Sequence, residues 1–161
     1  MTIIRAMKKK DIASVRNVAT ASWHDTYDGL IPRPVQDRFL NQAYSDRMMK
    51  LRLKRSNMIV AERNGIIIGF VNISHPNLAG ESELAAIYLL PEYQRKGSGS
   101  MLLEKAINAV PSAKTITLNV ESDNAKGKHF YEARGFKAVG EEEEPFDGHT
   151  LKTTRMICHR V

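Results

Sequence analysis

The apolar run Leu84-Ala85-Ala86-Ile87-Tyr88-Leu89-Leu90-Pro91 leads almost directly into Gln94-Arg95-Lys96-Gly97-Ser98-Gly99. A buried strand that ends in a glycine-bearing loop opening a helix aims backbone N–H groups at one point, where an anionic pyrophosphate satisfies them. The segment therefore predicts a strand–loop–helix unit built around a phosphorylated ligand. It is not the phosphate loop of ATPases, because no Gly-Lys-Ser/Thr ending follows, and it lacks the third glycine of a dinucleotide fingerprint. What remains is the pattern Gln/Arg-x-x-Gly-x-Gly.

The periodicity around this unit alternates between strand and helix. Residues 2–7 read as a first strand, and Asp11 is placed to cap a helix whose apolar residues Ile12, Val15, Val18 and Ala19 recur at helical spacing. Gly29, Pro32 and Pro34 break that pattern. Residues 35–55 then read as one or two amphipathic helices rich in Arg and Lys, expected to form a flap over the sheet. Residues 58–62 and 66–73 are β-branched runs separated by Asn64-Gly65, which predicts a tight hairpin. Residues 83–90, 115–120, 136–142 and 150–158 read as further strands, 99–110 and 125–134 as helices, and Asp147-Gly148 as the last turn. The resulting order, β-α-α-β-β-β-α-β-α-β-β, is α+β: a mixed, mostly antiparallel sheet flanked by helices, with a parallel pair beside the phosphate loop.

A second motif follows at Asn124-Ala125-Lys126-Gly127-Lys128-His129-Phe130-Tyr131-Glu132-Ala133-Arg134-Gly135-Phe136. The two motifs, in this order and with a helix and strand between them, resemble the acetyl-CoA signature of the GCN5-related N-acetyltransferases, the GNAT family. The resemblance implies the GNAT acyl-CoA N-acyltransferase fold, acetyl-CoA as cosubstrate and transfer of acetyl to an amine. It also implies that the backbone of Ile87, Tyr88 and Leu89 pairs with the pantetheine arm like an added strand. Arg95, Lys96, Gly97, Ser98, Gly99 and Ser100 are then expected to contact the pyrophosphate, with Asn124 helping to hold the cofactor. Glycine lets the backbone approach, and the helix start adds partial positive charge.

Acetylation of an amine requires the ammonium to lose a proton and the departing sulfur to gain or share one. Tyr131 matches the family's usual general acid; its phenol can donate to the thiolate. As a structural role, the same tyrosine would pack its helix on the sheet. Glu83 matches a position where some protein acetyltransferases of the family carry a catalytic glutamate, and apolar neighbours such as Leu84 are expected to shield it partly. Ribosomal-protein acetyltransferases of the family place a base on the next strand, where this chain has Asn119; an amide is no base, so Asn119 is expected to bind substrate or water. Gly127 stands where alanine is frequent and is expected to admit the cofactor closely. Trp23 and Tyr27, with Asp25 and Asp28 beside them, are the expected amine-binding residues, although their i,i+4 spacing also fits core packing.

Composition narrows the rest. The chain has 161 residues and is expected to form one domain over 1–161. A single cysteine, Cys158, read as a buried strand residue, permits no internal disulfide and suits a reducing cytoplasm. No signal-like start or spanning apolar run suggests export or a membrane. The formal charge of +6 is spread through helices, densest at Lys50-Leu51-Arg52-Leu53-Lys54-Arg55, which reads as a solvated helix face. No basic recognition helix with interleaved aromatics points to nucleic acid, and His24, His75, His129, His149 and His159 show no metal-ligand spacing. Residues 23–32 and 83–91 look like bacterial spermine/spermidine acetyltransferase-like members, so a polyamine-like small amine heads the acceptors. Acetylation of a protein N-terminus or lysine, and a non-catalytic CoA-binding sensor or adaptor, are the alternatives. A homodimer through exposed strands at the end of the sheet is a family-level expectation.

Overall fold

Two hairpins form where the sequence places their turns. Asn64 and Gly65 have φ of 52° and 78°, and Asp147 and Gly148 have φ of 47° and 83°. Consecutive left-handed residues give a turn whose twist matches that of the flanking strands. The computed structural model describes residues 1–160, which divide into two compact units. One joins Met1–Ser74 to Ala86–Ala109, and the other joins His75–Ala85 to the chain from Val110 onward.

In the first unit β1 (Thr2–Ala6), β2 (Ser56–Arg63) and β3 (Ile66–Ser74) pair antiparallel in sequence, with a bulge at Ala61/Glu62. β4 (Glu81–Leu89) lies next to β3, and the Leu90 N–H donates to the Ile68 carbonyl at 2.8 Å. α1 (Ile12–Tyr27) packs on β3, and α4 (Ser98–Asn108) packs on β2 and β3. Residues 35–55 resolve into two helices, α2 (Arg33–Ala43) and α3 (Asp46–Arg55), where Ser45 caps α3 by accepting from the Met48 N–H at 3.3 Å. α2 packs on α1 and α3 on β2, so the expected flap is two helices with separate supports. Val15, Met49, Ile68, Phe70, Ile73 and Leu102 are fully buried at the centre of this unit.

In the second unit the start of β4 pairs parallel with β5 (Thr115–Glu121), from Glu81↔Thr115 to Glu83↔Thr117. β5 pairs antiparallel with β7 (His149–His159), and β7 with β6 (Lys137–Phe146). The strand order β1-β2-β3-β4-β5-β7-β6 is therefore a mixed, mostly antiparallel seven-stranded sheet, the α+β class expected. α5 (Ala125–Glu132) follows β5. β6 runs four residues past the predicted end because each of Glu143, Glu144, Pro145 and Phe146 pairs with β7, and its residues up to Pro145 are exposed. Cys158 on β7 is half-buried rather than buried, next to the space a Cβ on Gly135 would occupy. No helix among the described residues is long and apolar enough to cross a membrane.

Asp11 behaves differently from a helix cap. It sits at the start of α1, but its carboxylate makes no bond to that helix. It accepts two hydrogen bonds from Arg5, at 2.8 and 3.0 Å, and one from the Lys8 N–H at 2.8 Å, closing the short 3-10 turn Lys9–Asp11. The guanidinium also reaches Glu62 at 2.9 Å, so one arginine ties β1 to β2 and to the start of α1. Asp11 is 5 % exposed, and a carboxylate that deep needs such donors. The Arg5 hydrogen bonds hold its pKa below the usual carboxylate value. Because the folded-state pKa is depressed, the stabilisation is complete above the unfolded value and is lost as pH falls through the folded one. Asp11→Asn should therefore lower stability by about 1.5–3 kcal/mol near neutrality. In denaturant titrations the gap from wild type should begin to close below about pH 4 and narrow as pH falls further; a gap independent of pH would contradict the assignment.

Candidate active site

In the first unit β4 runs through Leu90 into a 3-10 turn, Pro91–Tyr93, after which Gln94 is extended and Arg95 turns left-handed at φ 64°. Gly97 is also left-handed, at φ 88°, and stands at the N-cap of α4. The helical ladder begins with the Met101 N–H to the Gly97 carbonyl at 3.1 Å, so the N–H groups of Ser98 and Gly99 stand ahead of it. The first turn of α4 carries no acidic residue, leaving the positive end of the helix without an anion from its own sequence. A Cβ on Gly97 would meet nothing within 4 Å, so glycine is required by the backbone angle and leaves the approach open. Arg95 and Lys96 are exposed at the rim, with Lys96 Nζ 6.0 Å from the centre of the Tyr93 ring. This loop fits a diphosphate group: a glycine backbone, helix-start N–H groups ahead of the ladder and two exposed cations follow one another along the chain.

The strand before the loop is pinned from behind. Gly69 on β3 lets β4 come close, since a Cβ there would lie 2.5 Å from Leu89 Cδ2 and 2.8 Å from the Tyr88 carbonyl oxygen. The Ser22 hydroxyl, 3 % exposed on α1, donates to the Leu89 carbonyl at 2.9 Å. Sequence reasoning missed Ser22, yet its signal was present: one hydroxyl inside the apolar stripe Val15, Val18, Ala19, Trp23. Ile87 is part-exposed, as is Tyr88, whose phenol pKa is raised chiefly by desolvation while a hydrogen bond with Trp23 acts the other way. Trp23 is only 6 % exposed and stacks between Tyr27 and Phe39, with ring centres 4.4 and 4.5 Å away. Packing thus accounts for Trp23, while Tyr27 retains partial exposure. Asp28 is already committed: Arg33 donates to it at 3.1 and 2.6 Å and Gln36 at 3.1 Å. Of the two aspartates expected to hold an amine, Asp25 alone is exposed without an ion-pair partner among the described residues.

In the second unit Glu83 pairs with Thr117, two residues before Asn119 on β5. Side chains two apart on a strand share a face, so Glu83 and Asn119 lie on the same face of the sheet, and both are exposed. The expected shielding of Glu83 is absent because alternation buries its neighbours Ser82 and Leu84 on the other face. The Asn124 side chain caps α5, accepting from the Gly127 N–H at 2.9 Å. A Cβ on Gly127 would lie 2.7 Å from Asn124 Nδ2, so the glycine makes room for this cap. Tyr131, half-buried, meets Phe130 and the buried Phe136 edge-on at 5.3 and 5.7 Å.

A sequence profile of the acetyltransferase (GNAT) family matches residues 16–136, which contain both motifs. The chain belongs to the GNAT acetyltransferase family. Among its relatives is a spermidine N(1)-acetyltransferase of Thermoplasma acidophilum, 27 % identical over 151 residues and spanning 89 % of this chain and 92 % of that protein. A peptidyl-lysine N-acetyltransferase of Salmonella typhimurium is 35 % identical over 66 residues, 41 % of this chain and 43 % of that one. The crystal structure of the PaiA N-acetyltransferase from Thermoplasma acidophilum in complex with coenzyme A has a TM-score of 0.84 at 25 % identity and covers 99 % of both chains. This GNAT chain is thus an N-acetyltransferase with a loop suited to a phosphorylated cosubstrate. Gly97→Ala should cost about 1–2 kcal/mol of stability, because L-residues disfavour the left-handed region. It should also weaken CoA binding in calorimetry; unchanged affinity and stability would show that the left-handed turn is dispensable.

Proposed function

We propose that this acetyltransferase moves an acetyl group from acetyl-CoA to the primary amine of a small polyamine-like acceptor by direct attack. The observation that carries the reading is the left-handed Gly97 at the acid-free start of α4, directly after β4. Arg95, Lys96, Gly97, Ser98, Gly99 and Ser100 would hold the pyrophosphate, and the backbone of Ile87, Tyr88 and Leu89 the pantetheine arm. Ser22 already occupies the Leu89 carbonyl, which leaves Ile87 and Tyr88 as the main pairing groups. When bound, acetyl-CoA supplies an activated thioester.

The remaining steps fall to side chains. Glu83, in contact with solvent, takes the ammonium proton through water, with Asn119 on the same face to orient that water or the amine. The neutral nitrogen then forms the C–N bond as the C–S bond breaks. Tyr131 donates to the departing sulfur, and the helix cap made by Asn124 and Gly127 fixes the start of the helix that carries it. Asp25 and the Tyr27 ring attract the amine, while Trp23 positions Tyr27 from beneath. The extent of the match to the spermidine enzyme supports a polyamine ahead of a peptide lysine, whose relative matches a shorter stretch.

Thiol release should be faster with spermidine than with lysine-rich peptides. Tyr131→Phe and Glu83→Gln should each lower kcat by about 10²-fold or more, with CoA affinity changed less than twofold. A peptide outpacing every polyamine would move the chain to protein acetylation, and equal loss of binding and turnover would remove the catalytic roles.

A further inference from the structure

The basic run of α3, which the acetyltransferase reading leaves unused, lines a groove of about 890 Å³ in the first unit. Lys8 and Lys9, in the turn between β1 and α1, form one wall; Arg47, Lys50, Lys54 and Arg55 on α3 form the other. The floor is apolar, made of Met7, Leu51 and Leu53, and no carboxylate lines the groove. The walls are fixed: the Met7 N–H donates to the Met58 carbonyl at 2.9 Å, the Lys8 N–H is held by Asp11, and α3 packs on β2.

Nearby acids offer no compensation. Asp11 and Glu62 are taken by Arg5, and Asp46 by Arg16. Arg52, on the same helix, lies over the Tyr44 ring at 4.9 Å and is absent from the groove lining. The wall cations form no salt bridge among the described residues, and Lys50 and Lys54 repel each other at i,i+4 spacing. A concave site lined by one sign of charge concentrates counter-ions, and this volume matches that of a small-molecule site.

We propose that this groove binds a small, phosphate-rich anion, separate from the acetyl-CoA loop. Clustered phosphates supply the missing negative charge, and the apolar floor accepts a base or other flat body carried by them. Inorganic polyphosphate and a nucleoside polyphosphate share this chemistry. A long nucleic acid fits less well than a compact anion, because the cations converge on one concavity instead of tracking a backbone along the surface.

The test uses the full chain saturated with CoA, so that the loop at Gly97 is filled, titrated calorimetrically with pyrophosphate and with ADP. At least one probe should bind with one-to-one stoichiometry, and more weakly as salt rises. ADP binding more tightly than pyrophosphate would assign the floor to the base; the reverse would assign the site to the inorganic anion. Lys50→Glu and, on the opposite wall, Lys8→Glu should each weaken binding at least tenfold with acetyl transfer unchanged and the thermal midpoint not lowered, whereas Lys137→Glu on β6 should leave binding alone. Failure of both probes, equal weakening by Lys137→Glu, or tighter binding of a twelve-nucleotide RNA would overturn the proposal. The two readings fail separately, because CoA affinity is measured before the second titration.

Discussion

The left-handed backbone at Gly97 is the constraint on which the candidate phosphate loop of the first unit depends. It stands at the N-cap of α4, where the N–H groups of Ser98 and Gly99 precede the first ladder bond and no carboxylate of the first turn meets them. A right-handed residue would carry the chain elsewhere, and an acidic one would supply the anion internally. The Arg95 φ of 64° shows the same demand at a residue with a side chain, at the kind of site where local strain collects.

The strand before the loop is held from two sides. Gly69 allows β4 to approach β3 more closely than any side chain would permit, and Ser22 anchors the last carbonyl of β4 from α1. Behind these, Tyr88 contacts Phe70 at 5.7 Å, and Phe70 meets Tyr44 edge-on at 6.1 Å, under the Arg52 guanidinium. The site thus rests on an aromatic layer that continues to α3. Precise placement of backbone donors needs such a rigid base, because they cannot adjust as side chains do.

Much of this was legible in the sequence, for stated reasons. Asn64-Gly65 and Asp147-Gly148 announce left-handed turns chemically, and the strand–glycine–helix run does the same for α4. The division of residues 35–55 was harder to see, because Tyr44-Ser45 contains neither Gly nor Pro and Ser45 ends the ambiguity only by capping α3. Side-chain commitments were the least legible. Asp11 looks like a cap yet answers Arg5, distant Glu62 shares that arginine, and Asp28 looks like a cation ligand yet already holds Arg33. Gly127 also makes room for the Asn124 cap, a contact its sequence context does not announce. Each depends on which neighbour the fold delivers, which periodicity does not encode.

The most direct measurement follows the backbone amides themselves: a titration of isotopically labelled protein with CoA, observed by two-dimensional NMR. A phosphate grip at the start of α4 should move the Ser98 and Gly99 amide resonances downfield in step with binding, beyond changes elsewhere in the first unit. Saturable binding that leaves those two resonances in place would contradict it.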